Sequence, residues 1–393
     1  MAANAELPEE LITIILSKLP VKSLLRFKCV RKSWYSLIKS PNFIHLHLNN
    51  SSNHKCIMVR RCSEEQHVLS FYSRETLADL GIQIDTPFPD SRIEIVSVSG
   101  PCNGLICISS HYDKMFICNP ATREFRSLFV PPSFGCRSGY YIETVAFGID
   151  PNSCEYKLVM IGVNYFHEHI GPVSPDRQDD YRYYGSPPQY DGDREVVVYD
   201  FTTDSWRETG IVFPEPFDYS RKSVTLNGAF HWWPIELGNF SILSFLISDE
   251  VIESIPLPEY YSWEHETRAR GLFVFNKSLA LIVYDQFECF EISVMTEYGV
   301  KDSWAKLVKL GPMPFARTPL AFWNSNDEDM LLLEGKTDVE SSLFDGHLIS
   351  CSLQHQTVKH FPIYGVPSNS QNTIDVFLYS GSLVSVNSIG KSA

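Results

Sequence analysis

The feature that most restricts the fold is a recurrence. The stretch "CNGLICISSHYDKMFICNPATREFRSL", Cys102 to Leu128, runs as an apolar strand, a polar turn, a second strand ending in Asn119-Pro120-Ala121-Thr122, and a third strand leaving it. The same outline returns as "YKLVMIGV" with "EVVVYDFTTDSWRET" and as "LNGAFHWWPI" with "SILSFLISDEVIESIPLP". It returns again as "SLALIVYDQFECFEISVMTEYGVKDSWAKL" and "DMLLLEGKTDVESSLFDGHLISCSLQHQTVKHF". Comparable turn positions at Asp200, Ser248, Met295 and Ser352 stand 48, 47 and 57 residues apart, a period that suits four-stranded propeller blades. Adding the partial copy "HKCIMVRR" with "VLSFYS", and pairing the terminal "DVFLYSGSLVSV" back onto it, predicts about six blades. Closure by a terminal strand removes the open sheet edges that invite aggregation. The 25 Phe, 19 Tyr and 7 Trp, with 21 Gly and 24 Pro, favour strands and turns in the same way.

The first fifty residues have a different texture. Pro8 suits the first position of a helix, Glu9 and Glu10 suit its positive end, and Leu11, Ile12, Ile14, Ile15, Leu16 and Leu19 follow until Pro20 stops the run. A second segment, Ser23 to Val30, carries Leu24, Leu25, Phe27, Cys29 and Val30; a third, from Arg31, carries Trp34, Leu37 and Ile38. Ser40-Pro41 reads as cap and first position of a fourth helix with Phe43, Ile44, His47 and Leu48 on one stripe. Domains this small hide only about 60% of their unfolded surface, so these helices cannot bury all their apolar side chains against one another. Either another protein or the chain's own second domain covers the remainder.

These residues carry a specific resemblance. Leu7-Pro8-x-x-Leu11, Ile15-Leu16, Leu19-Pro20-Val21-Lys22-Ser23-Leu24, Arg26-Phe27-Lys28-Cys29-Val30, Lys32-Ser33-Trp34 and Leu37-Ile38 match the F-box at nearly every signature position, over Leu7 to Leu48. The resemblance implies binding to a SKP-type adaptor and, through it, to the cullin and RING subunits of a ubiquitin ligase. It marks Leu7, Pro8, Leu11, Ile15, Leu16, Leu19, Pro20, Leu24, Phe27, Val30 and Trp34 as adaptor-facing, with Phe27 and Trp34 also candidates for holding the bundle together.

The later motifs "GPCNGLICI", "CNPATREFRSL", "VVVYDFTTDSWRE", "LNGAFHWW" and "MTEYGVKDSWAKL" resemble the plant F-box-associated domain of the F-box/kelch type, over most of residues 55 to 386. In layout the chain most resembles the S-locus F-box proteins of self-incompatibility, whose motifs are shared with plant F-box proteins of other duties, including control of immune receptors. The expected fold is α+β in separate domains: a small helical F-box at 1–48, then an all-β, propeller-like domain of about six blades at 49–393.

A catalytic constellation is harder to find. The chain has no Gly-rich phosphate loop with a Lys, no G-x-S-x-G elbow, no H-E-x-x-H and no Cys or His pair at zinc spacing. His167 and His169 would need distant help to hold a metal. His231, Trp232 and Trp233 read as strand residues packed in a core, and Asp200 and Asp204 as the hydrogen-bonding residues of a blade turn. The expectation is a non-enzymatic substrate receptor with no catalytic residue, metal or cofactor. Adaptor binding without any ubiquitylation, as a scaffold, is the rival reading.

The segment that breaks the repeat, 164–193, holds six acidic residues, two basic residues, five Tyr and four Pro. Its Tyr165, Asp179, Asp180, Tyr181, Tyr183, Tyr184 and Tyr190 are candidate substrate contacts, since aromatic and charged residues on a loop over a rigid scaffold suit recognition.

Net charge is −14, which argues against nucleic acid or an anionic membrane as partner. Residues 1–47 carry +4 and the remaining 346 carry −18, so the two parts face different partners. The −18 suggests a protein substrate with a basic surface; for an S-locus F-box protein that would be a basic secreted ribonuclease. No leader pattern opens the sequence, and no run approaches the ~18 apolar residues of a membrane span. A cytoplasmic location, or a nuclear one, is expected, where the ten Cys are most simply buried small hydrophobes.

Overall fold

The computed structural model describes residues 7–50, 55–63, 66–88, 95–110, 114–130, 140–164, 194–213, 223–233, 241–258, 269–285, 287–325, 328–335, 347–362 and 374–390. Four helices come first: α1 (Glu9–Ser17), α2 (Val21–Phe27), α3 (Lys32–Lys39) and α4 (Pro41–Asn50). α1 ends three residues before Pro20. The Ser17 hydroxyl donates to the Ile14 carbonyl at 2.9 Å and the Lys18 N–H reaches back to Ile15 at 3.2 Å, which tightens the last turn. Pro20, at φ −59 and ψ 148, then caps α2, which begins at Val21 rather than Ser23. Ser40 caps α4 as expected, its hydroxyl accepting the Phe43 N–H at 3.3 Å while Pro41 occupies the first turn.

Six four-stranded antiparallel sheets follow among the described residues. The first blade combines β1 (Lys55–Ser63), β2 (Gln66–Ser73) and β3 (Asp79–Asp85) with the last strand of the chain, β24 (Asp375–Ser380). The second holds β4 (Ile95–Cys102), β5 (Leu105–Ser110), β6 (Lys114–Asn119) and β7 (Glu124–Phe129). The third holds β8 (Tyr140–Ile149), β9 (Tyr156–Asn164), β10 (Arg194–Asp200) and β11 (Ser205–Phe213). β12 (Val224–Leu226), β13 (Ala229–Trp232), β14 (Ser241–Leu246) and β15 (Val251–Pro256) form the fourth. The fifth is β16 (Ala269–Phe275), β17 (Ser278–Tyr284), β18 (Phe290–Met295) and β19 (Trp304–Leu310); the sixth is β20 (Ala316–Ser325), β21 (Glu328–Gly335), β22 (His347–Ser352) and β23 (Val358–Pro362).

In each blade the strand that neighbours the adjoining blades is the innermost one: β24, β4, β8, β12, β16 or β20. The ring closes where β24 pairs with β1, from Lys55 opposite Ser380 to Arg60 opposite Asp375. A buried ion pair between Arg60 and Asp375 spans that seam. Only Asp375–Ser380 of the expected terminal run is strand; residues 381–390 leave the sheet.

Apolar clusters fill the spaces between blades. Met115 and Ile117 of the second meet Phe147, Leu158 and Val197 of the third, and Val159 and Ile161 of the third meet Phe230 and Trp232 of the fourth. Each fully buried side chain of this size contributes about 1.5–3 kcal/mol.

Because each blade is a meander, its turns alternate between the two ends of the propeller. One end carries the tight turns at 103–104, 120–123, 150–155 and 201–204, with Asn103, Arg123, Cys154 and Asp204 in the left-handed region. The helices sit at this end. Leu16, Val21, Leu24, Ile38 and Phe43 form one buried cluster with Leu383, and Ala121 of a second-blade turn packs against it. The two domains are distinct in sequence but share this core, so the chain's own second domain covers one side of the helical bundle.

Candidate interaction face

The other side of the bundle is open. On α1, Leu16 and Ser17 turn inward at 2% exposure, while Leu11 (46%), Ile14 (49%) and Ile15 (52%) face outward, beneath Leu7 at 57%. Positions 11, 14 and 15 follow the spacing of a single helical stripe, with Leu7 exposed just before the helix, so α1 presents two apolar faces and buries only one.

The structure sorts the eleven residues marked by the F-box pattern. Leu7, Pro8, Leu11, Ile15, Pro20 and Val30 are at the surface, Val30 at 65%. Leu19, Phe27 and Trp34 are half-buried, with the Phe27 and Trp34 rings 5.5 Å apart. Leu16 and Leu24 are in the core at 2% and 0% and present nothing to a partner in this arrangement; their contacts are Val21, Ile38, Phe43 and Leu383. Ile14, absent from the pattern, joins the open stripe.

Beside Val30 lies a groove of about 480 Å³ lined by Lys28, Cys29, Arg31, Lys32 and Tyr35. Burial, and then the neighbouring Lys39 charge, pull the Lys28 amine below the ordinary lysine value. Lys28, Arg31 and Lys32 thus bring three basic side chains to one groove of the F-box, charge of the sign that steers an acidic partner surface.

The candidate substrate contacts Tyr165, Asp179, Asp180, Tyr181, Tyr183, Tyr184 and Tyr190 lie outside the described residues, as do His167 and His169. The strands that bracket them end at Asn164 and Arg194, at the end of the propeller away from the helices. There a β-bulge between Ile142 and Thr144 inserts Glu143, whose carboxylate, 1% exposed, accepts from Arg194 Nε at 2.9 Å. Burial raises the Glu143 carboxyl, and Arg194 opposes that shift.

The other polar residues singled out by sequence hold structure. Asp200 accepts the N–H groups of Thr202 (2.7 Å) and Thr203 (3.3 Å), and Asp204 is engaged by Tyr199 and by Arg126 of the second blade. His231, Trp232 and Trp233 are all buried. Of the described cysteines, Cys107, Cys118, Cys289 and Cys351 are buried, and burial pushes the thiols of Cys56 and Cys102 up to about 11 and about 12, so they stay protonated. Among the described residues no three His, Cys, Asp or Glu side chains are grouped to hold a metal, and no helix is long and apolar enough to cross a membrane.

The family model for the F-box associated beta propeller domain matches residues 73–386. The chain belongs to that family. The model for the F-box domain matches residues 5–46, so the open stripe lies on an F-box. Relatives come from Arabidopsis thaliana. An F-box/kelch-repeat protein is 25% identical over 285 residues, covering 71% of this chain and 67% of its own. The F-box protein CPR1 is 27% identical over 356 residues, covering 84% and 80%. A further F-box protein is 30% identical over 267 residues, covering 65% and 66%. Among solved structures, an oligogalacturonate lyase in complex with manganese reaches a TM-score of 0.41 at 11% identity over 77% of each chain, and YCF48 bound to D1 peptide reaches 0.39 at 11% over 78% and 82%. At such low TM-scores neither likeness bears on what this chain does.

The residues that sequence reasoning missed at the near end are Leu383, Val386 and Ile389. Their signal was present: three apolar residues at a spacing of three, following a Gly.

Proposed function

We propose that this chain is the substrate-recognition subunit of an SCF-type ubiquitin ligase. Its F-box family membership supports binding to a SKP-type adaptor, and the propeller supplies the surface for a protein target. The observation that carries this reading is the two-sidedness of the F-box: one apolar face seated on the propeller, the other, at Leu7, Leu11, Ile14 and Ile15, left open to solvent. At ~25 cal/mol per Å², covering such a face contributes several kcal/mol to association. No catalytic side chain is needed, since holding a target's lysines near the transfer centre accelerates the reaction by proximity.

Target recognition falls to the far end of the propeller, where β9 ends at Asn164 and β10 begins at Arg194; the sequence 164–193 holds six acidic against two basic residues. That imbalance and the −18 carried beyond residue 47 favour a target with a basic face. In its narrower form the reading takes the target to be a basic secreted ribonuclease of self-incompatibility, met in the cytosol. Co-purification of adaptor with the full chain, and its loss on Leu7→Ala with Pro8→Ala, tests the adaptor half. Target binding that does not weaken between low and high salt would remove the electrostatic half.

A further inference from the structure

Gly381 to Gly390 leaves the closing strand and crosses the near end of the propeller, between the F-box and two blades. Leu383, 4% exposed, lies in the F-box core with Leu16, Val21, Leu24, Ile38 and Phe43. Val386 and Ile389, at 0% and 4%, enter the cluster between the second and third blades. The backbone between them is pinned by side chains of the second blade. Asn119 Nδ2 donates to the carbonyls of Ser382 (3.1 Å) and Val384 (2.6 Å). Glu124 Oε2 accepts the Ser385 hydroxyl (2.7 Å) and the Val386 N–H (3.0 Å), and Arg126 Nη1 donates to the Ile389 carbonyl at 3.3 Å.

Both ends of the segment are held as closely. A Cβ at Gly381 would stand 3.4 Å from Val21 Cγ2 of the F-box, and one at Gly390, where φ is +77°, would fall 1.8 Å from the Phe201 carbonyl oxygen of the third blade. A single stretch of chain thus contributes to the core of the F-box and to the core of the propeller. Without it, the F-box would lose Leu383 from its core and keep, among the described residues, the Val21 and Ala121 contact, its approach to Glu124 through Lys28, and the chain connection after α4. A short linker alone permits swing.

We infer that residues 381–390 are a positioning strut: Leu383 locks the F-box to the propeller in one orientation, and a target held at the far end is thereby presented to the ligase at one fixed geometry. The ligase half of this statement rests on the proposed function; the fixed orientation does not.

The test uses the full chain with Cys62 and Cys136 changed to Ser and spin labels on the exposed thiols of Cys29, in the F-box, and Cys154, in a third-blade turn. The expected result is one narrow distance distribution for this parent and loss of the single narrow peak in Leu383→Asp. Near-UV circular dichroism reports whether the ring stays closed. Should Leu383→Asp open it, Asn119→Ser carries the same comparison: it removes the two bonds to the strut carbonyls, leaves a hydroxyl to accept the Ala121 and Thr122 N–H groups now held by Asn119 Oδ1, and keeps the apolar contacts. A distribution that stays narrow in a variant with an intact ring overturns the strut. In a reconstituted ligase, Asn119→Ser, which puts no charge in the F-box core, should lower kcat for target ubiquitylation about tenfold or more, with the affinities for adaptor and target unchanged. An unchanged kcat overturns the functional half. Failure of the parent chain to bind adaptor would defeat the ligase reading and leave the distance result to judge the strut alone.

Discussion

The indole N–H of Trp206 donates to the main-chain carbonyl of Phe129 at 2.7 Å, joining the outermost strand of the third blade to the end of the outermost strand of the second. Trp304 does the same two repeats on, donating to the Pro256 carbonyl at 3.1 Å between the fifth and fourth blades. Both follow Asp-Ser, in Asp204-Ser205-Trp206 and Asp302-Ser303-Trp304. The recurring triplet therefore encodes a bond between neighbouring blades. Trp206→Phe and Trp304→Phe keep an aromatic ring and lose the donor, and each should lower stability by about 1 kcal/mol. The two losses should add in the double variant, since the sites share no partner. Urea unfolding checks both statements.

Asp150 ties the third blade to the fourth. Burial alone would raise its carboxyl, but the Ser248 hydroxyl, the Asn152 N–H at 2.9 Å and Lys157 Nζ at 3.2 Å hold it far below the ordinary carboxylate range. A depressed folded value means that the contribution is complete above the unfolded pKa of about 3.9 and is lost as pH falls toward the folded value. Asp150→Ala should cost about 1–3 kcal/mol at pH 7, and its gap from the wild type should shrink below about pH 4. Paired melts across that range decide it.

His231 gives the opposite chemistry the same sign. It is fully buried, donating from Nδ1 to the Val224 carbonyl at 3.0 Å and accepting the Tyr298 hydroxyl on Nε2 at 2.8 Å. Burial pushes the imidazole down from 6.5 to about 4, against the pull of the Val224 carbonyl. Between those values only the unfolded chain takes up the proton, so stability falls as pH drops through the window and levels off below it. The loss is roughly 3 kcal/mol. Subtracting the pH profile of His231→Asn from that of the wild type should isolate this step; a flat difference would refute it.

The buried and open sides of the F-box predict divergent outcomes for one kind of substitution. Leu24→Asp places a charge at a site with 0% exposure and should unfold the F-box. Leu11→Asp, at 46% exposure, should leave the melting temperature within about 2 °C of the wild type, a change of under ~0.5 kcal/mol. Differential scanning calorimetry of the two variants makes the comparison.

The propeller was legible because its signal is local: alternating apolar strands, each ended by Asn, Asp, Gly or Pro, repeat near one period. The helix boundaries were less so, because Pro20 looks the same whether it stops α1 or caps α2; the back-bonds of Ser17 and Lys18 decide between them. On α1, Leu16 could not be told from Leu11 and Ile15, since apolar residues cover most of its circumference, and Leu24 sits in a similarly apolar run on α2. Which face turns inward is set by Leu383, far along the chain. The same long-range contact explains why "GSLVSV" reads as more strand: its alternation is real, but its side chains belong to cores that form only when the ring closes.

The central claim, that the open stripe of the F-box binds a SKP-type adaptor, is tested most directly by calorimetric titration of purified adaptor into the full chain and into Leu11→Asp with Ile15→Asp. The wild type should bind, and the double variant, with its fold intact, should bind at least about a hundredfold more weakly, a loss of ~2.7 kcal/mol. Equal affinity for the two proteins, or no heat from the wild type, would contradict the account.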